Sequence, residues 1–193
     1  MNSGGAFVEA EPKRHKLNVH DYYRLAEVGI LDESSRVELI EGELIDMAPI
    51  GSNHAGVVNG LARALFAACG DRAVVAVQNP VRLDEFNEPQ PDFAVLRPRA
   101  DLYRARHPAP ADVLLLIEVA NSSLRFDRNV KLPLYARAGI PELWIVDLGR
   151  RVVESFRDPS QGAYGPERTY REGERVTLAS APHIEVALVG VFG

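Results

Sequence analysis

Three runs between Pro91 and Asp147 decide the fold: Pro91-Asp92-Phe93-Ala94-Val95-Leu96, Asp112-Val113-Leu114-Leu115-Leu116-Ile117-Glu118-Val119, and Pro141-Glu142-Leu143-Trp144-Ile145-Val146-Asp147. Each is an apolar run of strand length bounded by polar or Pro-containing stretches. The first opens on a carboxylate, Asp92, and the second closes on one, Glu118. If the two strands pair antiparallel, start faces finish and the two acids meet at one sheet edge. The indices agree: 92 opposes 118 in the register in which 97 opposes 113. The helix after the second strand must begin beside Glu118, because a right-handed crossover to a parallel strand starts where its strand ends. That brings Lys131 to the same edge, and Leu143–Val146 then forms the next, buried strand.

Two acids and a lysine at one edge make a metal site with a basic helper. Hard cations such as magnesium are held by a few carboxylates plus waters and phosphate oxygens. Such a cation activates water and offsets charge on a displaced phosphate, while a lysine orients the water or steadies the charge. Asp92, Glu118 and Lys131 supply these parts, and Glu38 can add a third carboxylate. Phosphodiester hydrolysis is the chemistry this set fits first. The plain alternatives are that Asp92 caps a turn after Pro91, Glu38 faces solvent beside Arg36, and Lys131 is a surface lysine. A carboxylate half-buried at the end of an aliphatic run, as Glu118 is, is costly unless paired.

The chain has 193 residues, 46% of them hydrophobic, which suits one domain with a real core. Its 22 basic and 27 acidic residues leave a net charge of −5, which argues against coating nucleic acid through bulk charge while allowing a local basic groove. The single cysteine, Cys69, excludes an internal disulfide and reads as a small buried apolar group. No glycine-rich phosphate loop opens a helix, so a nucleoside triphosphatase is disfavoured. Met1–Lys16 lacks the apolar run of a signal peptide, and nowhere do eighteen apolar residues run together. A soluble cytoplasmic protein with no membrane partner is expected.

Residues 1–16 read as a mobile tail, with a phosphate-binding arm as the sharper alternative, and residues 17–193 as one domain with its core at about 36–157. Asn18 begins a short helix that Gly29 ends. Arg36–Ile40 and Glu43–Met47 form a hairpin turned at Glu41-Gly42, with Glu38 on the face opposite Val37 and Leu39. Ser52 or Asn53 caps a helix from about His54 to Cys69, whose buried stripe is Val57, Val58, Leu61, Leu65 and Phe66. Ala73–Val77 is a strand that Pro80–Leu83 extends past a bulge. The loop Arg97–Ala111 is long and carries Arg97, Arg99, Arg104, Arg106 and His107; its arginines, with Arg125 and Arg128, are solvated charges by default and, flanking the site from two loops, candidate phosphate contacts. Asp127 caps the helix carrying Lys131, Pro133 is awkward inside it, and Gly139-Ile140-Pro141 stops it. Tyr135 and Trp144 read as core. Arg151–Phe156 pairs with the preceding strand as a sheet edge, and the remainder alternates β-type runs with turns.

The order Pro91-Asp92, Glu118, Lys131 resembles the PD-(D/E)XK nuclease superfamily and, more narrowly, its Uma-type restriction-endonuclease family. Glu38-Leu39-Ile40-Glu41-Gly42-Glu43-Leu44 is similar to that family's first hairpin, and His54 stands where it has a histidine opening a helix. Glu118-Val119-Ala120-Asn121-Ser122-Ser123, then Asp127, Lys131 and Tyr135, resemble its core signature. Ala138-Gly139-Ile140-Pro141-Glu142-Leu143-Trp144-Ile145-Val146-Asp147 closes a likeness covering roughly residues 18 to 150. One departure matters: the superfamily's lysine sits two residues after the glutamate, where this chain has Ala120, so the resemblance implies Lys131 as its replacement. It implies an α/β (α+β), restriction-endonuclease-like fold: a mixed central sheet flanked by helices, with an N-terminal helix and hairpin and a β-rich C-terminal extension. It further implies Mg2+ or Mn2+ on Asp92, Glu118 and Glu38, with His54 behind the ligands or against phosphate. DNA is the implied substrate and a homodimer the implied assembly. Two other readings stay open: an inactive nuclease-fold module that binds nucleic acid or protein, and a hydrolase of small phosphodiesters.

Overall fold

The computed structural model describes residues 13–32 and 34–193. The expected tail lies mostly outside the described residues; its last four, Lys13–Lys16, are exposed and without regular structure.

A six-stranded sheet runs in the order β3-β4-β5-β6-β7-β8: β3 Val74–Val77, β4 Phe93–Leu96, β5 Val113–Ala120, β6 Glu142–Asp147, β7 Val152–Arg157 and β8 Arg168–Arg171. β5 and β6 are parallel and every other neighbouring pair is antiparallel. All eight residues of β5 are buried, because helices cover both faces of the sheet there. Phe93 pairs with Ile117, so Asp92 and Glu118 are the next opposed positions. The register holds only to Val95, which pairs with Leu115; Leu96 pairs with Val113. Leu114 is therefore the extra residue of a β-bulge, and 97 does not oppose 113 as expected. Leu114 and Leu115 consequently pack into the same core cluster, which strict alternation forbids. β7 is not the edge either; β8 pairs along its outer side.

Helix α2, Ser52–Cys69, covers one face with Val57, Val58, Leu61, Leu65 and Cys69. Phe66 was expected in that stripe but is 54% exposed, and the buried Cys69, four residues beyond Leu65, completes it instead. Neither Ser52 nor Asn53 caps this helix, since both lie within it and the N-cap is Gly51 with no side-chain hydrogen bond. The hairpin of β9 Arg175–Leu178 and β10 Ala181–Ala187 packs on the same face, adding Val176, Leu178, Ile184 and Val186 to the cluster. Gly60 lets the chain beyond β10 pass close to α2: a Cβ there would lie 2.9 Å from the Val191 carbonyl oxygen.

The opposite face is covered by a helical run from Leu124 to Arg137: α3 Leu124–Phe126, a π-helical turn Asp127–Lys131, and α4 Leu132–Arg137. In the π turn the Leu132 N–H bonds back to the Asp127 carbonyl. Pro133 follows at once; it has no N–H for a helical bond, and the widened turn accommodates that gap. Asp127 is thus inside the helix and buried, not its cap.

Asn18 caps α1, Val19–Glu27, through a reciprocal box with Asp21. β1 Val37–Ile40 and β2 Glu43–Asp46 turn at Glu41 and Gly42, both with positive φ (50° and 77°), as a two-residue hairpin turn requires. Pro80–Leu83 does not extend β3. Gln78 turns the chain with φ 51°, and Val81 and Leu83 fold back under hydrogen bonds to Pro89 and Asn87. Their side chains join the second core cluster with Ile40, Ala94 and Leu116. Among the described residues no helix is long and apolar enough to cross a membrane.

Candidate active site

Asp92 lies where three elements end. Its Oδ2 accepts the Val119 N–H from β5 at 2.8 Å. Its Oδ1 accepts from the Gln78 amide at 3.2 Å and faces His54 Nε2, in the first turn of α2, at 3.0 Å. Burial alone would raise the Asp92 carboxyl, but the bonds from His54, the Val119 N–H and Gln78 outweigh it and hold the group below its ordinary range. His54 is correspondingly raised, chiefly by its bond to Asp92.

Glu118 sits one ladder position across and points to the face covered by the π turn. Its Oε1 accepts from Lys131 Nζ at 3.2 Å and from the Tyr135 hydroxyl at 2.6 Å. Lys131 also reaches Glu38 Oε2 at 3.0 Å, and Glu38 accepts the Gln90 N–H at 3.1 Å. Lys131, Glu118 and Glu38 are each no more than 4% exposed. Burial and the neighbouring acids Asp127, Asp92 and Glu38 drive the Glu118 carboxyl well up, against the pull of Lys131. Burial would lower the Lys131 ammonium, but the attraction of Glu118, Glu38 and Asp127 prevails and raises it.

These groups line a cavity of about 380 Å3. Asp92, Glu118, Glu38, Asp127 and Asp46 bring five carboxyl groups to it against the ammonium of Lys131 and the guanidinium of Arg36. A surplus of hard oxygen donors beside one buried cation is chemically suited to a divalent metal. Among the described residues no three His, Cys, Asp or Glu side chains gather closely enough to hold an ion unaided. Magnesium sites do not need this, since one or two carboxylates with waters and phosphate oxygens suffice. Asp92 and Glu118, opposed across β4 and β5, fit that pattern, with Glu118 and Glu38 sharing Lys131.

The chain thus brings together Asp92, Glu118, Lys131, Glu38 and His54. It does not bring the expected arginines. The pairing that joins Asp92 to Glu118 places the β4–β5 connection at the far end of both strands, and no arginine of 97–106 lines the cavity. Arg125 is exposed outside it, and Arg128 is bound to the buried Glu154 of β7. The arginine at the cavity wall is instead Arg36, expected beside Glu38. Tyr135 is core as read, fully buried, while its hydroxyl reaches Glu118; Asp127, read as a cap, lines the cavity instead. Gln78 and Gln90 carry no mark in sequence.

A family model described as "Uma2: Putative restriction endonuclease" matches residues 19–188, reaching past the likeness read up to 150 to take in the β9–β10 hairpin. No curated protein matches the chain. Among solved structures, it resembles one titled a putative nuclease belonging to DUF820 from Anabaena variabilis ATCC 29413, with a TM-score of 0.66 and 16% identity over 91% of this chain and 97% of that one. That likeness is one of fold, a mixed sheet between helices. The match over most of its length identifies the family: the chain belongs to the Uma2 restriction-endonuclease family and is nuclease-like.

Proposed function

We propose that this protein is a divalent-metal-dependent endonuclease that hydrolyses DNA phosphodiester bonds. The observation that carries the reading is the opposition of Asp92 and Glu118 across β4 and β5, with Lys131 seated between Glu118 and Glu38. Asp92 and Glu118 are the groups that would hold Mg2+ or Mn2+. A bound cation would supply an activated water and offset the charge on the displaced phosphate. Lys131, a charge fixed in a water-poor site, orients the attacking water and steadies the phosphoryl oxygens. Glu38 and Tyr135 position the lysine and Glu118; His54 orients Asp92. Arg36 meets the substrate phosphates at the cavity wall. In this reading the protein works in the cytoplasm as a homodimer, one subunit to each strand.

A second reading, a nucleic-acid-binding module without turnover, is favoured by one observation. Lys131 already neutralises Glu118 and Glu38 and stands where it competes with a cation. Calorimetric titration with Mn2+ separates the two. The endonuclease reading predicts binding that Asp92→Asn or Glu118→Gln weakens at least about tenfold, because each removes a ligand charge. His54→Ala weakens it by roughly tenfold through loss of the group that orients Asp92. Folded wild-type protein that binds no Mn2+ supports the module.

A further inference from the structure

A second cavity, of about 570 Å3, is walled by α1, by the segment after β3 and by the β4–β5 connection. It shares no residue with the Asp92–Glu118 cavity. Tyr23, Arg82, Tyr103, Arg104, Arg106 and His107 line it, and no carboxylate does, in a chain of net charge −5. We infer that it takes a nucleotide unit, with phosphate against the guanidinium groups and the base against the Tyr23–His107 ring pair.

The charges there are not equally committed. Arg106 is held by Asp112 through both terminal nitrogens at 2.7 and 3.1 Å, so its charge is matched. Arg104 is exposed and has no ion-pair partner among the described residues. Arg82 lies 4.0 Å from Glu88 Oε2, too far for a hydrogen bond. That oxygen is buried and unpartnered, while Glu88 Oε1 takes the Tyr23 hydroxyl at 2.6 Å. Two guanidinium groups therefore keep donors for an anion.

Two aromatic rings are also fixed there, stacked on each other. Tyr23 and His107 lie nearly parallel, 21° between planes and 6.4 Å between centroids. The loop is a long connection, yet it is held in place. Leu102 and Tyr103 take consecutive positive φ values of 50° and 62°, a strained pair that persists only where the surroundings enforce it. They are enforced by the Tyr103 hydroxyl on the Arg97 carbonyl at 2.8 Å and by the Arg99 guanidinium over the Tyr103 ring at 5.3 Å. Aromatic faces beside arginines suit stacked bases and their phosphates, with little regard to sequence. A strand of nucleic acid and a free nucleotide share that chemistry; the strand follows only if the nuclease reading holds.

The test measures binding of a short fluorescein-labelled single strand to the full chain carrying Asp92→Asn in EDTA, so that no cleavage contributes. Arg104→Ala with His107→Ala is expected to weaken binding at least about tenfold, and Arg104→Ala alone to lower the slope of log affinity against log salt by about 0.7. Both residues are exposed, so thermal midpoints should stay at that of the parent. ATP and unlabelled strand as competitors distinguish the sources: displacement by ATP assigns a free nucleotide, displacement by strand alone assigns the polymer. Binding of both ligands unaltered in the double variant, or no binding of either by the parent, overturns the inference. The measurement is independent of turnover, so loss of the nuclease reading and loss of this site are separate results.

Discussion

Lys131→Met will abolish turnover while leaving metal binding intact or tighter. Lys131 bonds to Glu38 at 3.0 Å and to Glu118 at 3.2 Å, and Asp127 adds a third carboxyl to its surroundings. A fixed cation aimed at developing charge is worth about two to three orders of magnitude in rate when removed. Losing a cation that competes with the metal for Glu118 does not weaken metal affinity. The expected pattern is therefore a split: Mn2+ affinity at or above wild type in calorimetry, with cleavage at least about a hundredfold slower. The variant is also less stable, because breaking one side of a buried ion pair costs about 3–5 kcal/mol. Lys131→Arg keeps the charge and serves as the folding control. Cleavage by folded Lys131→Met within a factor of a few of wild type would remove the lysine from the mechanism.

Glu142→Ala is expected to cost as much stability as Lys131→Met, with no direct effect on the cavity. Glu142 is fully buried at the start of β6. Its Oε1 accepts from Trp144 Nε1 at 2.7 Å, Ser155 Oγ at 2.9 Å and Arg157 Nε at 2.9 Å, and its Oε2 takes the Ala179 N–H at 2.7 Å. One carboxylate thus ties β6 to β7 and to the segment leading into β10. Removing it takes the carboxylate from the half-buried Arg157 guanidinium and leaves three other donors, two of them on buried side chains, without their acceptor, for a loss of about 3–5 kcal/mol. Urea denaturation measures this directly. Glu142→Ala with Arg157→Leu, which removes both charges, should recover part of the loss. A single-variant cost under about 1 kcal/mol would show that solvent reaches these groups.

What was legible in the chain, and what was not, follows from how far each signal reaches. Asp92 and Glu118 could be joined because antiparallel register depends only on where two apolar runs begin and end. Lys131 could be added because a crossover helix must start beside Glu118. The bulge at Leu114 left no trace, since five aliphatic residues in succession, Val113–Ile117, look the same in either register. Ser52 and Asn53 have capping side chains, but the chain turns one residue earlier, at Gly51. The π turn is a shift of hydrogen bonds and has no composition of its own; only Pro133 hinted that a regular helix could not pass. Asp127 before such a helix looks like a cap, yet the widened turn places it inside. The arginines of the β4–β5 connection were assigned to the wrong end of the sheet, although the same pairing that unites Asp92 with Glu118 puts their connection opposite. His54 against Asp92 joins residues 38 apart through packing of α2 on the sheet, which no local pattern encodes.

Cleavage of single- and double-stranded DNA by purified protein with Mg2+, Mn2+ or EDTA, beside Asp92→Ala, is the deciding measurement. Cutting that requires the metal, stops in EDTA and falls at least about a hundredfold in Asp92→Ala is the predicted result. Cutting that survives Asp92→Ala would contradict the assigned site. No cutting of any DNA by folded protein that binds Mn2+ would contradict the proposed activity.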